Sequence, residues 1–296
     1  MRIFFIFLLS IFFFIFGTSF GHYKYTPFKQ IVNAKNYIIS FIPKNLVKFS
    51  SCNIPEKFEV LNNTHAFIGH AYGSPNKSKF DSYLAKNAED FINKNKLLLR
   101  TIIFTGDVFS FPSLDKWKRL SNETNDNLEI YIAPGNHDVQ RPDSIDIFEL
   151  SEFGRQTYPF LKYLDETPII FEDSANSGWK VSNQTLELAN NIESTEVIIA
   201  RHNIPISDLL NISNSYSGIS TDLEKIEILV KKFKYDKSFY WIIGDSGAFS
   251  HLPRISCLIF KNHTFIINGL GQVSGDSVIL YNKGKFYRYE ISPIID

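Results

Sequence analysis

Short apolar runs recur along the chain from about residue 62, separated by longer polar stretches. They are Ala66-Phe67-Ile68, Thr101-Ile102-Ile103-Phe104, Ile130-Tyr131-Ile132, Ile169-Ile170-Phe171, Val197-Ile198-Ile199, Phe239-Tyr240-Trp241-Ile242-Ile243 and Phe265-Ile266-Ile267. Their length, their β-branched and aromatic content and their flanking turn residues predict strands. Ser256-Cys257-Leu258-Ile259-Phe260 reads as a further core strand. Between the runs the spacing turns helical. Phe80, Leu84, Ala88, Phe91 and Ile92 make a one-sided stripe, and a second helix is predicted over 144–164. A third begins at Thr221, where Thr221-Asp222-Leu223-Glu224 has capping-box form ahead of Ile226, Leu229 and Val230. Strands alternating with helices predict an α/β fold with a mainly buried sheet.

The first residues break this pattern. From Ile3 to Phe20 the chain carries 18 residues without a charge, followed by Gly21. That length suits either a short membrane-spanning signal-anchor or the core of a cleaved signal peptide. A purely packing helix should show a polar face, and this stretch has none. Residues 1–21 are therefore expected to be the anchor or signal, 22–60 a stalk or lead-in, and 61–296 one folded domain. The domain is placed on the far side of the membrane, periplasmic or extracellular.

Composition narrows the partners. Hydrophobic residues make up 44% of the 296, enough for a large core. The 31 basic and 31 acidic side chains balance, so no nucleic-acid partner is expected. The two cysteines, Cys52 and Cys257, are able to pair in an exported protein. The placing of Cys257 in a core strand reads against it. Neither spacing resembles a zinc site.

The chemistry sits at the ends of the predicted strands. Gly69-His70-Ala71-Tyr72-Gly73 follows the first run, Thr105-Gly106-Asp107 the second, and Pro134-Gly135-Asn136-His137-Asp138 the third. Ala200-Arg201-His202-Asn203 and Gly244-Asp245-Ser246-Gly247 follow two later runs. In open α/β sheets, sites form beyond the carboxyl ends of strands. His70, Asp107, Asn136, His202 and Asp245 are thus expected to converge, and a mixed nitrogen and oxygen donor set suits manganese, iron or zinc.

Gly106-Asp107, then Gly135-Asn136-His137-Asp138 about 30 residues later, then a strand-end histidine, resembles the calcineurin-like metallophosphoesterase family. The likeness spans roughly residues 62–275 and takes in Asp173-Ser174, Gln184, Leu186 and Asn268-Gly269-Leu270-Gly271. It implies a two-sheet α/β/β/α sandwich and a one- or two-metal site that hydrolyses phosphoesters. Asp107 would bridge two metals, and Asn136 and His202 would hold the second. His137 would protonate the leaving oxygen or stabilise the transition state, with Asp138 orienting it. Two motifs depart from the family. His70-Ala71-Tyr72 replaces Asp-x-His, and Gly244-Asp245-Ser246-Gly247 replaces Gly-His-x-His. The second metal then has Asp245 for a histidine, and the first keeps Asp107 with His70. Tyr72 is either a phenolate ligand or a packing and substrate-facing residue.

Other residues have plainer readings. Arg201 reads as a surface salt bridge or a phosphate contact, and His251 would stand in for the missing histidine only if its loop folds back. His65 and His263 read as structural. The expected function is metal-dependent hydrolysis of a phosphoester or pyrophosphate outside the cytoplasm, on a phosphorylated small molecule or a lipid or sugar phosphate of the envelope. The alternative is a catalytically impaired phosphoesterase-like binding protein in an envelope complex.

Overall fold

A computed structural model describes residues 46–48, 54–75, 77–123, 128–141, 143–177, 180–205, 220–246 and 255–291. The signal-anchor or signal segment 1–21 lies outside the described residues, as do Cys52 and His251. Among the described residues no helix is long and apolar enough to cross a membrane.

In chain order the elements begin β1 (Leu46–Lys48), β2 (Thr64–Ile68), α1 (Lys86–Asn95), β3 (Leu99–Phe104), α2 (Leu114–Ser121), β4 (Glu129–Ile132), α3 (Asn136–Val139) and α4 (Ser144–Leu150). They continue β5 (Phe160–Leu164), β6 (Thr167–Phe171), α5 (Asn183–Asn191), β7 (Glu196–Arg201), β8 (Ser220–Asp222) and α6 (Leu223–Val230). Last come β9 (Ser238–Ile243), β10 (Ile255–Phe260), β11 (His263–Asn268), β12 (Ser277–Asn282) and β13 (Lys285–Glu290).

Two mixed sheets result. One has five strands in the order β13-β12-β2-β3-β4, with β2, β3 and β4 parallel. The other has six in the order β10-β11-β9-β7-β6-β5, with β6, β7, β9 and β11 parallel. β1 and β8 pair separately. Side-chain alternation builds the layers. Phe67 and Ile103 of the smaller sheet meet Ile198, Ala200, Ile242 and Ile266 of the larger in one inner cluster. Their neighbours Ile68, Ile102 and Phe104 point outward onto Phe91, Trp117 and Phe148 of α1, α2 and α4. Val197, Ile199 and Trp241 point outward onto Ala189 of α5 and Ile226 of α6. Both faces of both sheets are therefore apolar, which is why the central strands read as unbroken hydrophobic runs.

The structure corrects several expectations. The predicted 144–164 helix ends at Leu150, and residues 160–164 pair antiparallel with β6. Pro159 has no N–H to continue a helix, and the residue before it is biased to extended backbone. The first helix starts at Lys86, because the N–H of Ala85 is taken by Ala71 O at 2.8 Å. Phe80 is left 80% exposed. The third helix starts at Leu223, since Ser220–Asp222 pair with Leu46–Lys48. The hairpin of β12 and β13 was not expected. Its turn residues Lys283 and Gly284 both have positive φ, at 49° and 76°, as tight hairpins favour. Within the segment assigned to a lead-in, Glu56 bridges Arg288 and Ile54 packs on the inner core, so the chain has joined the folded body by residue 54. Cys257 is disulfide-bonded, contrary to the reading from its strand position. It lies on β10, an edge strand of the larger sheet, which another segment is able to reach.

Two outcomes test this packing. Ile103 is fully buried in the inner cluster, so Ile103→Ala should cost about 2–5 kcal/mol in denaturant unfolding. Tyr235, 93% exposed, should change stability by less than about 0.5 kcal/mol when replaced by Ala. A further outcome concerns pH. His263 Nδ1 accepts from Trp241 Nε1 at 2.9 Å, and burial pushes the imidazole from 6.5 down to about 3. The unfolded chain therefore binds a proton that the folded state refuses. Stability from this group is full above pH 6.5 and falls as pH drops towards 3. Unfolding measured at pH 7 and pH 5 should show a smaller loss in His263→Gln, which keeps an acceptor for Trp241.

Candidate metal centre

The parallel strands of both sheets end at one edge, and their first loop residues meet there. His70 follows β2, Asp107 follows β3, His202 follows β7 and Asp245 follows β9. All four are buried or nearly so. They form a string of donor atoms. His70 Nε2 lies 3.5 Å from Asp107 Oδ2, and Asp107 Oδ1 lies 3.5 Å from His202 Nε2. His202 Nε2 is also 3.5 Å from Asp245 Oδ1. These separations exceed ordinary hydrogen bonds to a carboxylate.

The opposite ring nitrogen of each histidine is already committed. His70 Nδ1 donates to Gly73 O at 2.8 Å, and His202 Nδ1 donates to Thr105 O at 3.0 Å. In neutral rings this leaves Nε2 a bare lone pair, and both Nε2 atoms are buried without a hydrogen-bond partner. Buried lone pairs facing a carboxylate need a cation between them, either a proton or a metal ion. Either a proton or a small divalent ion would satisfy this donor set. The string does not close into a cage: among the described residues no group of three or more His, Cys, Asp or Glu is arranged to hold one ion.

The backbone is bent to make this string. His70 and Asp107 adopt left-handed conformations with φ of 51° and 54°, which are strained for residues other than glycine. Gly106, at φ 86°, packs against His202 so closely that a Cβ there would stand 2.5 Å from its Cβ and Nδ1. A Cβ on Gly135 would stand 2.4 Å from Asp107 N and Oδ1. The two glycines thus let the histidine and the carboxylate meet.

Charges respond to this burial. His70 is pushed down to about 4 by desolvation, opposed by Asp107. Desolvation also pulls His202 down, but the carboxylates of Asp107 and Asp245 outweigh it and leave it raised. Asp245 is pushed up to about 6 by burial, against the pull of His202. Burial works against ionising Asp107 too, yet His202, His70 and His137 hold it below its ordinary value.

Beside the string stands a second group. Asp107 Oδ1 accepts from the His137 backbone N–H at 2.9 Å, which ties α3 to the carboxylate. His137 Nδ1 donates to Ser110 O at 3.3 Å. Its Nε2 faces Tyr72 Oη at 3.5 Å and Arg141 Nη2 at 3.4 Å. Tyr72 packs its ring 4.3 Å from that of His70 and 5.0 Å from that of His137. Burial, with the charge of Asp107, raises the Tyr72 phenol well above its ordinary value, which favours a neutral hydroxyl over a phenolate ligand. Burial lowers His137, opposed by Asp107. Asn136 opens α3 between Gly135 and His137 and is half-buried.

Asp138 does not do what was expected of it. Its carboxylate accepts from Gly135 N at 2.9 Å and from Val108 N at 3.1 Å, so it pins the two site loops together and leaves His137 to Ser110. The buried carboxyl is pushed up to about 7. Arg201 also differs. Its ion pair with Glu172, at 2.7 Å, is buried rather than on the surface. Ser174 supports His202 from behind, donating to Asn203 Oδ1 and accepting from the His202 and Asn203 backbone N–H groups. Asn203 in turn donates to Asp245 at 3.4 Å. Arg141 was missed in the sequence; it lies just past the end of α3, and only the fold turns it back to His137.

No family model and no curated protein matches the chain.

Gly106→Ala should be more damaging than Gly284→Ala. Both take a side chain into positive φ, a cost of about 1–2 kcal/mol. Gly284 has open space around it, whereas Gly106 meets His202 and should lose about 1–3 kcal/mol more to overpacking. Denaturant unfolding of the two variants measures the difference, and equal losses would contradict the packing described.

Proposed function

We propose that this protein is a metal-dependent hydrolase of phosphoester or pyrophosphate bonds, of the calcineurin-like type. The observation that carries the reading is Asp107, placed with one oxygen towards each of two buried, unpartnered imidazole nitrogens. A manganese, iron or zinc ion would draw in Asp107, His202 and Asp245, with Asn136, from their 3.5 Å string, and a second would take Asp107 and His70. Such an ion, when bound, neutralises phosphoryl charge and makes water a better nucleophile. The layered pair of sheets and the order of the motifs support the same reading. The disulfide at Cys257 suits an oxidising compartment and hence action outside the cytoplasm, on an envelope or polysaccharide-related phosphate.

The chain's own residues supply the rest. Hydrolysis forms a bond from a water oxygen to phosphorus, breaks the bond to the leaving oxygen, and leaves a proton on that oxygen. His137 Nε2, Tyr72 Oη and Arg141 Nη2 form a cluster with 3.4 and 3.5 Å spacings beside the string of donors. In this cluster Arg141 meets a phosphoryl oxygen, as a fixed cation with a directed fork. Tyr72 donates its hydroxyl proton to the same group. His137 gives the leaving oxygen a proton from Nε2 as the imidazolium, since the neutral ring keeps its one proton on Nδ1 towards Ser110 O. Asp138 and Ser174 hold the loops in place.

A second reading is favoured by the absence of a closed ligand cage among the described residues. In it, a proton on His202 bridges Asp107 and Asp245, and the cluster of Tyr72, His137 and Arg141 binds a phosphorylated ligand without cleaving it.

Metal content and hydrolysis of aryl phosphates and diesters by the purified protein decide between these. On the enzyme reading, the wild type binds at least one metal and turns over, and Asp107→Ala loses the metal. His137→Ala keeps the metal and loses about 10²–10⁴-fold in turnover. Arg141→Ala also keeps the metal and loses about 10²–10³-fold. A protein that takes up no manganese, iron or zinc leaves the binding reading standing.

A further inference from the structure

Single exposed apolar side chains are ordinary, so two that are fastened side by side are the feature to explain. Phe80 is 80% exposed and Phe111 is 36% exposed. They come from different loops, yet their rings lie 5.7 Å apart at 47°. The pair is held in place by Lys116, whose Nζ donates to Phe80 O at 2.8 Å and Phe111 O at 2.7 Å. The same ammonium lies 5.9 Å from the Phe80 ring centroid. The two loops are thereby fastened together from α2, and the rings are presented as a fixed platform rather than as two free side chains.

The platform is continuous with the site. The Arg141 guanidinium lies 4.8 Å from the Phe111 ring centroid and 3.4 Å, by Nη2, from His137 Nε2. A path therefore runs from His137 through Arg141 to Phe111 and Phe80. We propose that Phe80 and Phe111 form a leaving-group subsite that stacks a planar aromatic group, an aryl ring or a nucleobase, of the phosphoester. This rests on the hydrolase reading, in which His137 faces the leaving oxygen. A flat conjugated occupant suits the place for two reasons. Tilted ring faces give stacking area without enclosing walls, and the flanking cations Arg141 and Lys116 attract an occupant joined to an anionic phosphoryl group. An alkyl chain would gain from aliphatic walls and full enclosure, which two open rings do not offer.

The test compares the full-length, metal-loaded wild type with Phe80→Ser/Phe111→Ser. These side chains are exposed or near the surface, and circular dichroism and metal content check that the variant is intact. The reading is the ratio of kcat/KM for phenyl phosphate to that for glycerol phosphate, compared between variant and wild type so that the intrinsic difference between the leaving groups cancels. The ratio should fall about 5- to 100-fold in the variant, the range that stacking on an aromatic side chain contributes. Phe80→Tyr should restore it in the presence of Phe111. An unchanged ratio overturns the subsite while leaving the hydrolase reading intact. A wild type that cleaves neither ester overturns the hydrolase reading. In that case calorimetric binding of phenyl phosphate decides the platform alone, with equal affinity in wild type and variant counting against it. Loss of binding to anionic phospholipid vesicles in the variant, with the ester ratio unchanged, would mark the two rings as a lipid contact and overturn the proposal.

Discussion

One buried carboxylate constrains the rest of this site. Asp107 is nearly inaccessible to solvent and held at a left-handed backbone angle, and it touches the elements that meet at the sheet edge. Its oxygens face His70 from the smaller sheet and His202 from the larger, and one accepts from the backbone of α3. A buried negative charge must be compensated. Here compensation arrives only if both sheets and the helix after β4 are in register with one another. The need to satisfy Asp107 therefore couples the position of His137 and Arg141 to the packing of the two sheets.

That coupling explains the second tier of polar residues. Asp138 accepts from Gly135 and Val108, joining the loops after β3 and β4. Ser174 and Asn203 join the loops after β6, β7 and β9. The buried Arg201–Glu172 pair fastens the ends of β7 and β6 together, and Glu172 also accepts from the N-cap residue Ser182 of α5. None of these groups lies at the centre of the string, and each fixes a backbone segment that does. These bonds tie the loops of the site together on this inner side. On the other side, His137 and Arg141 stand half-buried beside the buried Tyr72, and Phe111 and Phe80 lead outward from Arg141.

The sequence alone determined a good deal. Runs such as Ile102-Ile103-Phe104 and Val197-Ile198-Ile199 announce strands covered on both faces, because a residue that is buried whichever way it points has no reason to be polar. The loop motifs after those runs named His70, Asp107, His202 and Asp245, and the structure brings them together, because strand ends in parallel sheets deliver their next residues to one edge. Where local signals conflicted with pairing, the sequence misled. Residues 160–164 have helical spacing but gain a ladder with β6, and Cys257 is the core residue it looks like yet lies on an edge strand and is disulfide-bonded. Only the tertiary structure decided what depends on neighbours distant along the chain. It turned Asp138 away from His137 and towards two backbone N–H groups, hid Arg201 against Glu172, and set Arg141 and Phe111 beside His137. Strand identity is written in the alternation of nearby residues, whereas a side chain's partner is chosen by the packing of segments brought together from opposite ends of the chain.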